Sequence, residues 1–190
     1  MAARFTPDEL AAAEGGFVAD VLRPGLRVLF CGINPGLWSA AVGHHFARPG
    51  NRFWKALHLG GLTPRQLAPD AEDELLALGL GITNLVERAT AGAADLGPDE
   101  LRAGGERLAA KAAAARPRMV AVLGVGAYRT AFARPKAAVG ALPDPIGGAA
   151  AWLLPNPSGL NAHYQLPDLA GAFGDLRRAL DEHPSSDLGE

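Results

Sequence analysis

The chain contains four short apolar runs with the character of buried β-strands: residues 27–33, 80–86, 119–124 and 150–156. The runs that begin at residues 27 and 119 do not alternate between apolar and polar positions, which is typical of strands covered on both faces. The pattern therefore predicts a sheet that lies inside the protein.

Stretches with helical patterning separate and follow these runs. Pro98 is followed by two acidic residues, and Pro167 is followed by Asp168, and both arrangements fit a first helical turn. Helices are predicted from about residues 51, 70, 97, 126 and 166, and another some way past Gly36. Strands that alternate with helices predict an α/β fold, a three-layer α/β/α sandwich with a short, mostly parallel central sheet.

Length and composition favour one folded domain. A chain of 190 residues, 48% of them hydrophobic, can bury a sizeable core without disulfide support. We predict an N-terminal extension or helix over 1–25, the domain over 26–180 and a disordered acidic tail over 181–190. The single cysteine, Cys31, lies in a predicted strand, where an inert core thiol is expected.

The charge balance is an argument against a nucleic-acid partner only at first sight. The net charge is −2, but the last ten residues hold four acids and no Lys or Arg, so the remainder carries 18 basic and 16 acidic residues. Neither a membrane span nor the apolar core of a signal peptide is present, and we expect a cytoplasmic protein.

Two of the loops that follow predicted strands are built alike. In open α/β sheets the ligand site forms at the carboxyl ends of the strands. Asn-Pro-Gly occupies 34–36 and Asn-Pro-Ser-Gly occupies 156–159, and such loops can hold backbone N–H groups rigidly beside a ligand. Either loop alone is readily explained as a tight turn. Both at strand ends favour a shared site.

Four blocks in the same order resemble the mismatch-specific uracil-DNA glycosylase and thymine-DNA glycosylase family. They are "GINPG" from residue 32, "PGNRFWK" from 49, "GITNLVERAT" from 81 and "LPNPSGL" from 154. The resemblance runs from about residue 26 to 180, and it implies that this segment is a DNA glycosylase domain with a uracil-DNA glycosylase-like fold.

The resemblance also implies roles for individual residues. Asn34 matches the residue that positions the attacking water, and Ile33 the neighbour whose backbone faces the flipped pyrimidine. Phe46 matches the aromatic residue that stacks on the base, although core packing is the alternative. Asn84 stands near the base edge, where some relatives carry Lys, and its alternative is a strand-end cap.

The last block carries the predicted DNA wedge. Ser158, Gly159, Leu160 and Asn161 match the segment that binds backbone phosphate and fills the hole left by the flipped base. Leu160 would be the wedge, because an apolar side chain between base steps partly replaces lost stacking.

This chain departs from the better-known relatives at the pocket entrance and in the wedge loop. Trp38 stands where they have a small Ser, so the accepted bases depend on how Trp38 and Ser39 sit. For that reason the sequence leaves open whether thymine, ethenocytosine and hydroxymethyluracil are also excised. Ala162 replaces an Arg of the inserting loop, and His163 and Tyr164 are the candidates to replace its contact.

Asp95 is a second candidate for catalysis. An amide can orient water but accepts no proton near neutral pH, whereas a carboxylate can stabilise an oxocarbenium-like state or assist the water. Asp95 is the sole acid in "ATAGAADLG", a small-residue loop expected to border the pocket. Its alternative is a solvated loop acid or a helix-start residue ahead of Leu96 and Gly97. If Asp95 contributes, substitutions of both Asn34 and Asp95 should impair cleavage.

These observations lead to one predicted function and two rivals. The resemblance implies a monofunctional enzyme that flips uracil, from G:U mismatches above all, and hydrolyses its N-glycosidic bond in base excision repair. It implies no metal and no organic cofactor, and the adjacent His44 and His45 lack partners at zinc spacing. The rivals are a catalytically weak module that binds damaged or mismatched DNA, and an α/β hydrolase of free nucleotides.

The predicted partner is double-stranded DNA that contains uracil or mismatched bases, with no membrane partner. We expect a monomer in the bacterial cytoplasm that is associated with the nucleoid through its function.

Overall fold

Five strands form one sheet in the computed structural model of the protein, which describes residues 5 to 182. Their order is β2-β1-β3-β5-β4, and every neighbouring pair is parallel except β4 with β5. The strands are β1 (Val28–Gly32), β2 (Leu80–Asn84), β3 (Met119–Leu123), β4 (Gly140–Ile146) and β5 (Ala149–Leu154). The mostly parallel sheet and its four predicted strands are confirmed.

Strand β4 was not predicted. Its sequence, GALPDPI, contains Pro143 and Pro145, which cannot donate ladder hydrogen bonds and are tolerated on an edge strand. It lies at the edge of the sheet, mostly unburied, and its register with β5 shifts between Leu142 and Ile146. An exposed, irregular edge strand lacks the apolar run by which the other four could be recognised.

Helices connect the strands in the predicted order. They are α1 (Pro7–Ala11), α2 (Leu37–Val42), α3 (Phe53–Leu59), α4 (Glu74–Ala77), α5 (Pro98–Ala115), α6 (Val125–Ala131) and α7 (Leu166–Glu182). The helix predicted from about residue 70 is shorter than expected, a 3₁₀ turn over Pro69–Ala71 followed by α4. Glu72, between them, is buried.

Alternate residues of β1 face two different cores. Val28 and Phe30 pack in the cluster that contains residues of α3 and α7, such as Phe53 and Phe173. Leu29 and Cys31 pack in the cluster on the other face, with residues of α5 and α6. Helices therefore cover both faces of the sheet, which confirms the three-layer sandwich.

The C-terminal helix enters the segment that was predicted to be a tail. Asp181 and Glu182 are the last residues of α7, and the rest of that segment, 183–190, lies outside the described residues. Within residues 5–182, no helix has both the length and the apolar character needed to cross a membrane.

The loops after β1 and β2 are held side by side. Strand β1 lies between β2 and β3, so the strand order reverses at β1. Open α/β sheets form their ligand-binding crevice at such a point. The N–H of Val86 donates to the carbonyl of Ile33 at 2.9 Å, and that of Thr90 to the carbonyl of Pro35 at 3.2 Å. These bonds bring residues 33–36 against residues 85–90.

Candidate active site

A pocket of about 150 Å³ opens at the carboxyl ends of the parallel strands. Pockets for drug-sized ligands are typically about 300–1,000 Å³, so this one suits a single small ring better than a dinucleotide. Seven of the predicted site residues line it: Ile33, Asn34, Ser39, Phe46, Asn84, Ser158 and Leu160. The structure thus brings together the loops that the strand-end rule selects.

The side chain of Asn34 is fixed by two acceptors on the neighbouring loop. Its Nδ2 donates to the carbonyl oxygen of Arg88 at 3.0 Å and to Oγ1 of Thr90 at 2.7 Å. The Thr90 hydroxyl in turn donates to the carbonyl of Gly92 at 2.8 Å, so its oxygen is free to accept from Asn34.

This network decides which way the amide faces. A carbonyl oxygen can only accept a hydrogen bond, so the amide group of Asn34 must present its nitrogen to Arg88. Both amide hydrogens are then used within the protein, and Oδ1 remains as an acceptor at the pocket wall. A water molecule that donates to Oδ1 keeps a lone pair for attack, which is the chemistry predicted for Asn34.

Asp95 does not line the pocket. Its side chain is exposed, and Oδ2 accepts a hydrogen bond from the N–H of Gly92 at 2.9 Å, at the start of the 3₁₀ turn Ala93–Asp95. The small-residue loop borders the pocket as expected, through Thr90, Ala91, Gly92 and Ala93. Its acid turns back to cap the loop, so this geometry does not support the catalytic role predicted for Asp95.

No described residue that lines the pocket is an Asp or a Glu. The polar lining consists of amides, hydroxyls, His45 and the exposed cation Arg48. The site can therefore orient water and donate hydrogen bonds, but its walls offer no carboxylate base.

Phe46 fits both interpretations weighed from the sequence. Its ring stacks on Phe53, with centroids 4.1 Å apart and an interplanar angle of 25°, and it also lines the pocket. Its φ is +53°, which is uncommon for a residue other than glycine and is found at functional sites. One face of the ring belongs to the core, while the residue contributes to a wall that a planar base could contact.

Asn84 closes the pocket next to Gly32. A Cβ on Gly32 would lie 2.5 Å from Oδ1 of Asn84 and 3.2 Å from Cζ of Phe46. Only glycine leaves room for both side chains here, so the final residue of β1 shapes the pocket by what it lacks. Asn84 is buried at the end of β2, as both interpretations of this residue required.

Ser39 and Trp38 differ in their relation to the pocket. Ser39 is buried, lines the pocket and accepts the N–H of Ala47 at 3.1 Å, which holds the loop that carries Phe46. Trp38 is absent from the lining and packs edge-on against Phe5, with centroids 5.0 Å apart. In this structure Trp38 belongs to the contact between the N-terminal segment and α2.

The predicted wedge, Leu160, projects from a firmly bonded loop. Its side chain is 73% exposed, although its backbone N–H donates to Oγ of Ser158 at 3.2 Å. Asn161 serves this loop, because its Nδ2 donates to the carbonyl of Asn156 and its Oδ1 accepts from the N–H of His163. Asn161 and His163 line an adjacent cleft, where the side chain of Asn161 hydrogen-bonds to other residues of its own loop.

Arg52 ties this wedge loop, residues 157–164, to α3. Its guanidinium donates to the carbonyl oxygens of four loop residues: Pro157, Ser158, Asn161 and Tyr164. Gly159 passes so close to Gly50 that a Cβ would lie 2.7 Å from that residue's carbonyl oxygen. Arg52 therefore holds the loop in place.

His44 and His45 contact the same carboxylate. Nδ1 of His44 lies 2.9 Å from Oε1 of Glu72, and the backbone N–H of His45 donates to Oε2 at 2.8 Å. Among residues 5–182, no three His, Cys, Asp or Glu side chains are grouped so that they could hold a metal ion. Burial raises the pKa of Cys31, which fits the inert core thiol expected from the sequence.

Sequence reasoning missed Thr90, His45 and Arg52 as site residues, and it selected the loop of Asn156 without giving that residue a role. Thr90 fixes Asn34, and Oδ1 of Asn156 accepts from the N–H of Ser158 at 3.0 Å. Asn156 stands in the second Asn-Pro loop at the position equivalent to Asn34, and that internal similarity was the available signal. The others act through partners distant in sequence.

Two comparisons with known proteins bear on this site. The model of a family described as the uracil DNA glycosylase superfamily matches residues 19–177. The fold is similar to the solution NMR structure of a protein from Methanosarcina acetivorans that is provisionally named a uracil DNA glycosylase. That likeness has a TM-score of 0.54 at 18% identity and covers 86% of this chain and 98% of the other, and at this identity it concerns the fold alone.

Proposed function

The chain belongs to the uracil DNA glycosylase superfamily, and from that premise we propose that it flips uracil out of duplex DNA and hydrolyses its N-glycosidic bond. Membership supports a DNA glycosylase that acts in repair. The preference for uracil opposite guanine, and the residues that carry the reaction, are our proposal.

The observation that carries this proposal is the orientation of Asn34. Nδ2 of Asn34 donates to Arg88 and Thr90, so the amide is fixed at the pocket wall and Oδ1 is left as the acceptor for a water molecule. An amide preorganised in this way lowers the cost of positioning a nucleophile at the moment of reaction.

The proposed reaction has one chemical step. The bond between C1′ and N1 of uracil breaks, its electron pair leaves with the base, and the water on Asn34 forms a new bond to C1′ and releases a proton to solvent. Backbone N–H groups near Ile33 and Phe46 stabilise the charge on the departing uracil. The products are free uracil and an abasic site in an unbroken strand.

Base selection combines stacking with the cost of extrusion. A base held against Phe46 would gain about 1–3 kcal/mol by stacking. Uracil opposite guanine is already mispaired, so flipping it costs less than flipping a correctly paired base. Arg48, which is exposed and lines the pocket, would contact the DNA backbone.

A panel of single-lesion duplexes tests the proposal. Uracil opposite guanine should become alkali-labile faster than uracil opposite adenine under single-turnover conditions, and no strand should break before alkali treatment. The same panel with thymine, ethenocytosine and hydroxymethyluracil defines the accepted bases. If no uracil substrate yields an alkali-labile product, the enzymatic proposal fails.

Leu160 provides a sharper prediction about the duplex. Leu160→Ala is expected to slow excision from duplexes about tenfold, a part of the few kcal/mol that unstacking costs, because the hole left by the base is no longer filled. Single strands have no hole to fill, so their excision should change little. The measurement is the single-turnover rate on both substrates.

Leu59 offers a matched control for that experiment. It is also an exposed leucine, 59% exposed, but it lies at the end of α3 outside the pocket lining. Leu59→Ala should leave both rates unchanged. Equal losses on duplex and single strand in Leu160→Ala would show that Leu160 has no wedge function.

The absence of a carboxylate from the described pocket lining favours one second candidate. A catalytically weak module that recognises uracil or mismatches in DNA would need the same pocket and wedge but no efficient base. Binding of the duplex panel without cleavage would support the module. A salt series separates both from a hydrolase of free nucleotides, because duplex binding weakens steeply with added salt.

A further inference from the structure

His45 is a buried titratable group that the proposed reaction does not use. It is 2% exposed and lies in the pocket wall beside Asn84. Its ring Nε2 is 2.8 Å from the carbonyl oxygen of Ala19, and its backbone N–H is held by Glu72. Ring and backbone are thus anchored to two separate parts of the chain.

These anchors define the tautomer of His45. The carbonyl of Ala19 can only accept, so Nε2 must carry the hydrogen. Burial lowers the pKa of His45; the positive charge of His44 would act in the same direction, while Ala19, Glu72 and Asp20 act against it. The neutral ring therefore presents a bare lone pair on Nδ1.

That lone pair faces the amide of Asn84. Nδ1 of His45 lies 3.4 Å from Nδ2 of Asn84, and Oδ1 of the same amide lies on the other side, next to Gly32. If the amide were turned over, Oδ1 would face Nδ1 and two acceptors would repel each other. His45 thus favours the amide orientation in which Nδ2 of Asn84 donates to Nδ1, through a long hydrogen bond.

Amide orientation matters because it distinguishes uracil from cytosine. The edge of uracil offers a donor at N3 and an acceptor at O4, whereas cytosine offers an acceptor at N3 and a donor at N4. A primary amide can match either base, but it must turn over to change from one to the other. A site whose polar groups are fixed rejects the wrong partner far better than a site that can adapt.

We propose that His45 is a positioning residue that locks the Asn84 amide in the orientation that binds uracil and rejects cytosine. This inference rests on the proposed function, because it takes the flipped base to reach Asn84. It assigns the discrimination to the pair of side chains, so Asn84 alone is insufficient.

The test uses two substitutions that each keep one ring nitrogen's function. His45→Gln can place an amide N–H where Nε2 donates to Ala19 but offers no acceptor to Asn84. His45→Asn can place an amide oxygen where Nδ1 accepts but loses the bond to Ala19. A merely structural role for His45 predicts that both variants lose stability and leave discrimination unchanged.

Binding is measured on duplexes that carry 2′-fluoro-2′-deoxyuridine or 2′-fluoro-2′-deoxycytidine, which resist cleavage, opposite an abasic analogue. Neither base then has to break a base pair, so the ratio of the two dissociation constants measures the preference of the pocket for uracil over cytosine. We expect the wild-type protein to favour uracil, His45→Gln to lose about tenfold of that preference, and His45→Asn to retain most of it. Undiminished preference in His45→Gln, or none in the wild type, would overturn the inference.

This readout is independent of cleavage, so wild-type uracil excision, assayed separately, decides the proposed function on its own. If His45→Gln does not fold, the ring nitrogens of the wild-type protein are examined by ¹⁵N NMR near neutral pH. A hydrogen on Nε2 with a bare Nδ1 is expected. A hydrogen on Nδ1, in the other tautomer or in the charged ring, would contradict the lock.

Discussion

Asn34→Ala is expected to slow single-turnover cleavage of uracil-containing DNA by roughly 30- to 1,000-fold, or about 2–4 kcal/mol of barrier, the range seen when a positioned polar group is lost. The substitution removes the amide that, in our proposal, holds the reacting water. The fold should survive, because Pro35 and Gly36 set the turn and the backbone of Ile33 and Pro35 bonds the neighbouring loop. Rates on a G:U duplex, with thermal unfolding as a check on the fold, are the measurement.

Thr90→Val and Asp95→Asn are the matched controls for Asn34→Ala. Thr90→Val keeps the shape of the side chain but removes one of the two acceptors that hold the Asn34 amide, so an intermediate loss is expected. Asp95→Asn should retain a rate within a few-fold of wild type, because its carboxylate caps Gly92 and lies outside the pocket. A severe loss in Asp95→Asn beside a mild one in Asn34→Ala would reverse the assignment.

Arg52→Ala is expected to reduce excision from duplex DNA by about 100-fold, and excision from single strands by much less. Its guanidinium donates to four carbonyl oxygens of the wedge loop, and a hydrogen bond to a charged group contributes about 1.5–3 kcal/mol. Without Arg52 the loop no longer presents Leu160 in one position. Arg52→Lys should restore only part of the rate, because an ammonium group lacks the planar fork of donors.

The exposed cation Lys55, three positions along the same segment, provides the control for Arg52. Lys55→Ala removes a positive charge without touching the loop and should leave the ratio of duplex to single-strand rates unchanged. If Arg52→Ala lowers both rates equally, or if Arg52→Lys behaves as wild type, Arg52 acts as a simple charge and does not shape the wedge loop.

The fold could be predicted wherever an element carries its own pattern. The apolar runs of β1, β2, β3 and β5 are local signals of strands covered on both faces, and Pro98 marks the start of α5. Strand β4 has no such signal, since it is exposed, contains two prolines and is held in place by β5.

The candidate site could be predicted only as far as the strand-end rule reaches. Asn34 follows β1 and Asn84 ends β2, whereas Phe46 lies beyond α2 and was proposed from the family resemblance alone. The structure brings all three to one pocket. The rule does not give the direction of a side chain, so Asp95 was placed near the pocket although its carboxylate turns to Gly92. Arg52 contacts residues more than 100 positions away, and no local pattern shows such a role.

We propose above all that this pocket catalyses hydrolysis of the bond between uracil and its sugar and leaves the DNA strand intact. The most direct test is to quantify, in one single-turnover reaction on a G:U duplex, the free uracil, the abasic sites and the strand breaks before alkali treatment. We predict one uracil released for each abasic site and no breaks, with Asn34→Ala slowing the appearance of both products in parallel. Tight binding of the duplex without release of uracil, or breaks without alkali, would contradict the account.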